Sequence, residues 1–152
     1  MILFAVSCAS PQSTTESNES SSQPATETEQ ADEDRSRLNI LFLGDSGHHR
    51  PDERVNDIIP YLSERGIHLH YTEQQEDLNL KNLNKYDALM IYGNRTGLPK
   101  QQETDLLEYV NSGGGIVAIH SASATFNDSD AFVNLIGGAF KAHGAGTFRL
   151  IT

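Results

Sequence analysis

From Leu38 onward, short apolar runs alternate with segments of helical periodicity. "LNILFLG" is nearly all apolar, as expected of a strand that is covered on both faces of a sheet. "IHLHYT" alternates and predicts a strand nearer an edge, "YDALMIYG" predicts a third strand, and Ile116 to Ile119 predict a short buried fourth strand. Parallel neighbours need crossover connections, which the intervening segments can supply. The sequence therefore predicts an α/β fold with a mainly parallel sheet.

The predicted crossovers have clear helical signals. In "PDERVNDIIPYLSERG", Val55, Ile58, Ile59 and Leu62 recur at helical spacing, and Pro60 predicts a kink or a break. The remaining predictions are a helical turn around Leu80 to Leu83, a helix from about Pro99 to Asn111, a helix in "DSDAFVNLIGG" that starts from an Asp or Ser cap, and a fifth strand beginning in "GTFRLIT".

The start of the chain has a different composition. Residues 1–8, "MILFAVSC", end in a pattern that resembles the lipobox of bacterial lipoproteins, with Cys8 as the lipidated residue. The alternative is a signal-peptide remnant with a chance cysteine. Residues 9–37 contain no Leu, Ile, Val, Phe, Tyr or Trp, which predicts a disordered acidic tether. We therefore expect an extracytoplasmic, lipid-anchored protein whose folded domain spans residues 38–152.

The charge pattern argues against some classes of partner. The formal net charge is -10, and no cluster of Lys and Arg offers the phosphate contacts of a nucleic-acid binder. The glycines of "NSGGGIVAIH" precede a strand, whereas nucleotide-binding glycines follow a strand and open a helix. We expect no cofactor. A divalent metal stays open as an alternative, although no HExxH-like spacing fixes its ligands.

Polar residues follow the predicted strands, where parallel sheets place their ligand sites. We assign catalytic roles to His120, Ser121 and His143 and substrate-binding roles to Asp45, His48, His49 and Asn94. Imidazoles in one pocket can serve as acid, base or metal ligand. The alternatives are solvated loop histidines at His48 and His49, a capping role for Ser121, and a core histidine at His120. Asp45 has three candidate roles: to cap its loop, to orient a histidine, or to bind a ligand hydroxyl.

The segments "ILFLGDSGHHRPDERV", "YDALMIYGNRTGLPKQQETDLLEYVNSGGGIVAIHSASATF" and "LIGGAFKAHGAGTF" resemble the ThuA-like (trehalose utilisation) family. The resemblance implies a flavodoxin-like three-layer sandwich of the class I glutamine amidotransferase type. In class I amidotransferases the corresponding strand ends in a sharp turn that presents a nucleophilic cysteine. Here that turn carries His120 and Ser121, and residues 38–152 contain no cysteine, which excludes glutamine hydrolysis through a thiolate. Ser121 as a nucleophile would need a base and an oxyanion hole.

The resemblance also implies a function in carbohydrate metabolism. We expect the domain to bind or process a trehalose-like disaccharide or keto-sugar derivative, as a hydrolase or isomerase if it is an enzyme. The alternative is a non-catalytic interaction module of a larger exported protein with haem or dehydrogenase-type domains downstream. Because domains of this family are roughly twice as long as residues 38–152, we expect the domain to be incomplete at its C-terminus.

Overall fold

The computed structural model describes residues 37–142, 144 and 146. The predictions for Cys8, residues 1–36, His143 and the fifth strand lie outside these residues. The strands are β1 (Leu38–Leu43), β2 (Ile67–Thr72), β3 (Ala88–Ile91) and β4 (Gly115–Ala118). The helices are α1 (Pro51–Ser63), α2 (Leu80–Leu83), α3 (Lys100–Asn111) and α4 (Asp130–Ile136), with 3₁₀ turns at Gln75–Asp77 and His120–Ala124.

The four strands form one parallel sheet in the order β2-β1-β3-β4. This confirms the predicted α/β class, the mainly parallel sheet and the position of β2 at an edge. Helices α1, α2 and α3 connect successive parallel strands, as crossover connections must. The carboxyl ends of β1, β3 and β4 therefore lie side by side at one edge of the sheet.

Apolar side chains cover both faces of β1. Ile40 and Phe42 pack with Val55 of α1 on one face of the sheet. On the other face, Leu41 and Leu43 pack against a cluster contributed by the other three helices, with Leu83 from α2, Leu106 and Tyr109 from α3, and Phe132 from α4. Since helices cover both faces, the described residues form the three-layer sandwich that the family resemblance implied.

The prediction of a buried fourth strand is wrong for the part of the chain that the structure describes. There, β4 pairs only with β3, and Val117 and Ala118 are exposed, Val117 to 41%. A short apolar run is equally compatible with a covered strand and with an edge strand, because periodicity does not report the number of neighbours. Its place in the sheet depends on tertiary structure.

Helix α1 continues through Pro60 and ends at Ser63, so of the two outcomes predicted for the proline, a kink or a break, the break is wrong. Pro60 is exposed, and water can hydrate the carbonyl that loses its helical donor there. No helix among the described residues is long and apolar enough to cross a membrane.

Helix α4 begins at the predicted cap. The Ser129 hydroxyl accepts a hydrogen bond from the Phe132 N–H at 3.0 Å and donates one to Glu103 Oε2 at 2.6 Å. Glu103 lies on the buried face of α3 and also pairs with Lys100. These hydrogen bonds to Lys100 and Ser129 lower the pKa of the Glu103 carboxyl, since both stabilise its ionised form. The cap of one helix is thereby tied to the face of another.

Candidate functional site

Asp45 joins the loops that follow β1 and β3. Its Oδ1 accepts a hydrogen bond from the Gly47 N–H at 2.8 Å, and its Oδ2 accepts one from the Asn94 N–H. A β-carbon at Gly93 would lie only 3.2 Å from Asp45 Oδ2, so glycine allows the close approach of the two loops. Of the three candidate roles for Asp45, these contacts correspond to the loop cap.

Arg95 extends the same framework to a third strand end. Its guanidinium donates to the Gly44 carbonyl from Nε at 2.9 Å and from Nη2 at 2.6 Å, and it also donates to the Glu73 carbonyl. It therefore fixes the segments that follow β1 and β2 relative to the loop after β3. Sequence analysis gave Arg95 no role, although its position just after a predicted strand could have indicated one.

A buried threonine links this framework to the segment after β4. Thr125 is fully buried, and its hydroxyl donates to the Gly93 carbonyl at 2.5 Å and accepts from the Arg95 N–H at 3.3 Å. The Phe126 N–H donates to the Arg95 carbonyl at 2.8 Å. The site loops thus form a network rather than separate solvated turns. A single threonine in "SASATF" carries no sequence signal of this role.

His120 occupies a sharp turn at the end of β4. The Ile119 N–H still bonds to Ile91, and at His120 the backbone changes to a left-handed conformation with φ of 47°. A 3₁₀ turn begins at the same residue. Left-handed backbone costs a residue with a β-carbon about 1–3 kcal/mol, and such residues concentrate at functional sites. The structure therefore contains the sharp turn that the resemblance implied, and His120 is exposed on it rather than buried in the core.

Three of the predicted histidines come together. The ring centroids of His49 and His120 lie 4.7 Å apart in an edge-to-face arrangement, and those of His48 and His49 lie 3.9 Å apart. The ring centroid of Tyr92 lies 6.1 Å from that of His49 and 6.0 Å from that of His120. We call His48, His49 and His120 the histidine cluster. His68 is exposed on β2, as expected of a surface residue.

The histidine cluster borders a cleft of about 430 Å³. Its described lining consists of His48, His49, Asn94, His120, Ser121, Ser123, Ala124 and Phe140. Five of the seven candidate residues are in this set; Asp45 is not, and His143 lies outside the described residues. Sequence analysis missed Ser123, whose hydroxyl donates to the His120 carbonyl at 3.0 Å, and Phe140, whose N–H donates to the Ser123 carbonyl at 2.7 Å.

Ser121 is a buried member of the cleft. It is only 7% exposed, and its Oγ has no hydrogen-bond partner among the described residues. It therefore does not cap the 3₁₀ turn, which was the structural alternative for this residue. None of the described residues is a base hydrogen-bonded to the Ser121 hydroxyl. The arrangement is therefore not a preformed serine nucleophile with its base.

Partial burial lowers the pKa of His49, and the neighbouring imidazoles of His48 and His120 lower it further. Asp45 acts in the opposite direction, because its negative charge favours the imidazolium. Within residues 37–142, 144 and 146, no three His, Cys, Asp or Glu side chains are grouped so that they could hold a metal ion. The cluster can still transfer protons, since an imidazole can both accept and donate a proton.

The family model for ThuA, described as trehalose utilisation, matches residues 39–151. The chain belongs to this family. A ThuA-like protein from Bacteroides uniformis has a similar structure, with a TM-score of 0.54 and 20% identity over 67% of this chain and 44% of that one. A ThuA-like protein from Parabacteroides merdae has a TM-score of 0.56 and 20% identity over 70% of this chain and 41% of that one.

The chain thus spans less than half the length of these two ThuA-like proteins. At 20% identity, their structural similarity supports the fold alone, which is the flavodoxin-like fold of the glutamine amidotransferase type that the resemblance implied. A search of curated proteins found no match.

Proposed function

We propose that this ThuA domain binds a carbohydrate, a trehalose-like disaccharide or a keto-sugar derivative, in the cleft beside the histidine cluster. The observation that carries the proposal is the convergence of five sequence-predicted residues on one cleft, together with the unpaired hydroxyl of Ser121. A cleft of about 430 Å³ is within the usual size of small-molecule sites, ~300–1,000 Å³. The family description, trehalose utilisation, supports a sugar as the ligand.

In this proposal His120 is the general acid or base. It is exposed at a strand end, its ring meets that of His49, and the turn that holds it is fixed by Ser123. An imidazole can take a proton from an attacking water and give one to the leaving oxygen, as a hydrolase requires, or can move a proton between two adjacent carbons of a keto sugar, as an isomerase requires. Ser121 would hydrogen-bond to the substrate, with His48, His49 and Asn94 around it.

The proposal includes the cellular setting. Lipidation at Cys8 would anchor the protein outside the cytoplasm, and residues 9–37 would separate the domain from the membrane. Globomycin treatment of expressing cells provides a test, because it blocks removal of the leader from lipoproteins. Accumulation of an unprocessed form of the wild type only when globomycin is present, and no effect of globomycin on Cys8→Ala, would support the anchor; the same response in the two would contradict it.

The sugar proposal is tested by calorimetric titration of the full chain with trehalose and its keto derivatives, followed by NMR of the mixtures to detect product. We expect His120→Ala to reduce turnover about 10²–10⁴-fold with the fold preserved. His68→Ala is the matched control, because His68 is exposed on β2 away from the cleft. Equal binding and turnover by the wild type and His120→Ala would contradict the assigned site.

A non-catalytic docking module is the second candidate. It is favoured by exposed apolar side chains near the β4 edge of the described sheet, with Val117 41% and Phe140 44% exposed. Under this function no sugar would be turned over, and Val117→Asp would weaken association with a neighbouring domain while His120→Ala would not. The two candidates therefore make opposite predictions for the same pair of variants.

A further inference from the structure

The described lining of the cleft is rich in hydrogen-bond donors. Besides the Ser123 hydroxyl, which already donates to the His120 carbonyl, it offers three imidazoles, the amide of Asn94 and the hydroxyl of Ser121, and it includes no carboxylate. The neighbouring carboxylate, Asp45, already accepts hydrogen bonds from the Gly47 and Asn94 N–H groups. Hydroxyls, amides and neutral imidazoles also accept hydrogen bonds, so these groups can bind a neutral sugar. Because the described lining has three imidazoles that can become cationic donors and no carboxylate, it suits an anionic ligand better.

The unpaired hydroxyl of Ser121 can donate a hydrogen bond to such a ligand. A buried polar group without a partner destabilises the protein, so a ligand atom that pairs with it binds more favourably. The hydroxyl of Ser123 is already committed to the His120 carbonyl. Ser121 is therefore the buried donor in the cleft that a ligand acceptor can satisfy.

The charges around His49 also favour an anion. Among the described residues, it faces His48 and Asp45 from its own loop, His120 from the turn after β4, and Tyr92 from the end of β3. The nearby imidazoles oppose its protonation, while the single carboxylate is shared with two backbone donors. Arg95 is committed to backbone carbonyls and supplies no free cation to this group. An oxyanion in the cleft would offset the repulsion between protonated imidazoles.

We propose that the sugar bound in this cleft carries an oxyanion, a carboxylate or a phosphate, which accepts hydrogen bonds from Ser121 and from the imidazoles of His49 and His120. This inference rests on the proposed sugar site and specifies the class of its ligand. Hydrogen bonds to a charged group are stronger than neutral ones. We expect roughly tenfold tighter binding of the charged sugar, which corresponds to about 1.4 kcal/mol.

The sign of the pH dependence follows from linkage. A bound anion favours the imidazolium and therefore raises the pKa of His49 in the complex above that in the free protein. Binding then takes up a proton, so affinity rises as the pH falls from about 8 to about 6. A neutral sugar has no such preference and should bind with little change over this range.

The test uses two pairs of sugars that differ mainly in charge, trehalose with trehalose 6-phosphate and glucose with glucuronate. Each is titrated calorimetrically into the full chain at about pH 8 and about pH 6. Circular dichroism at both pH values serves as the control that the fold is the same. The variant is His49→Gln, which keeps a polar side chain but cannot be charged, and the control is the exposed His68→Gln. At the lower pH we expect the charged member of one pair to bind about tenfold tighter than its neutral partner. Its affinity should fall as the pH rises, and this pH dependence should be reduced in His49→Gln and retained in His68→Gln.

The possible failures are distinguishable. If the neutral member of each pair binds as tightly as the charged one, the oxyanion inference is wrong and the sugar site stands. If no sugar binds, both proposals are wrong. An anion preference that His49→Gln leaves unchanged would show that His49 does not contact the anion and would overturn the inference. The pair that shows the effect identifies the group as carboxylate or phosphate.

Discussion

Replacing His120 by glycine and by alanine separates the strain of its backbone from the role of its side chain. Both variants lose the ring contacts with His49 and Tyr92, so these contacts cancel when the two are compared. Alanine keeps the left-handed strain at φ of 47°, about 1–2 kcal/mol, and glycine removes it. The greater freedom of glycine in the unfolded chain offsets about 0.5–1 kcal/mol of this gain. We expect His120→Gly to be more stable than His120→Ala by about 0.5–1 kcal/mol.

Urea denaturation followed by circular dichroism measures this difference, and calorimetry gives the matching shift in Tm of roughly 2–8 °C for a domain of this size. A glycine variant that is more stable yet binds no ligand would show that the strain serves function. If His120→Ala equals or exceeds His120→Gly in stability, the left-handed turn is not present in solution, and the argument for His120 as the presented side chain is refuted.

Three further predictions concern the framework around the site. Thr125→Val keeps the side-chain volume but leaves the Gly93 carbonyl and the Arg95 N–H without their hydrogen-bond partner. We expect the free energy of unfolding, measured by urea denaturation, to fall by about 2 kcal/mol. A decrease below ~0.5 kcal/mol would contradict the network. The Glu103 carboxyl has a lowered pKa in the folded protein, so its stabilising effect is present above about pH 4.3, the unfolded value, and is lost as the pH falls through the folded pKa. Glu103→Gln should therefore flatten the acid limb of a stability profile, and an unchanged acid limb would argue against the Lys100 and Ser129 contacts. In Gly114→Ala the new β-carbon would lie 2.3 Å from the ring of the buried Tyr109, and we expect the free energy of unfolding to fall by about 1–3 kcal/mol. Gly138→Ala is the control, because its β-carbon would meet nothing within 4 Å and its stability should be close to that of the wild type. Equal stabilities of the two variants would contradict the packing.

The sequence predicted the elements of the fold because their signals are local. The apolar run of β1 indicates a covered strand, and the spacing of Val55, Ile58 and Ile59 indicates a helix with one buried face. Both patterns lie within a single segment of the sequence. The rule that ligands bind at the carboxyl ends of parallel strands then selected the histidine cluster. These steps needed no tertiary information beyond the class of the sheet.

The residues that sequence analysis missed act across long separations. Arg95 bonds to carbonyls of two other loops, and Thr125 bridges positions about thirty residues apart, at sequence separations of 30 and 32. Ser123 enters the cleft only because the 3₁₀ turn brings it beside His120. The edge position of β4 likewise depends on which strands pair, which an apolar run does not encode.

The central claim is that ligand binds at the histidine cluster, and NMR of the labelled full chain tests it most directly. The sugar that binds most tightly in the titrations is added while the imidazole signals of the histidines and the backbone amide signals are followed. The account predicts shifts concentrated at His49, His120 and Ser121, with the His68 imidazole unchanged. Shifts confined to the exposed edge of β4 around Val117, or no shift in the histidine cluster at saturation, would contradict it.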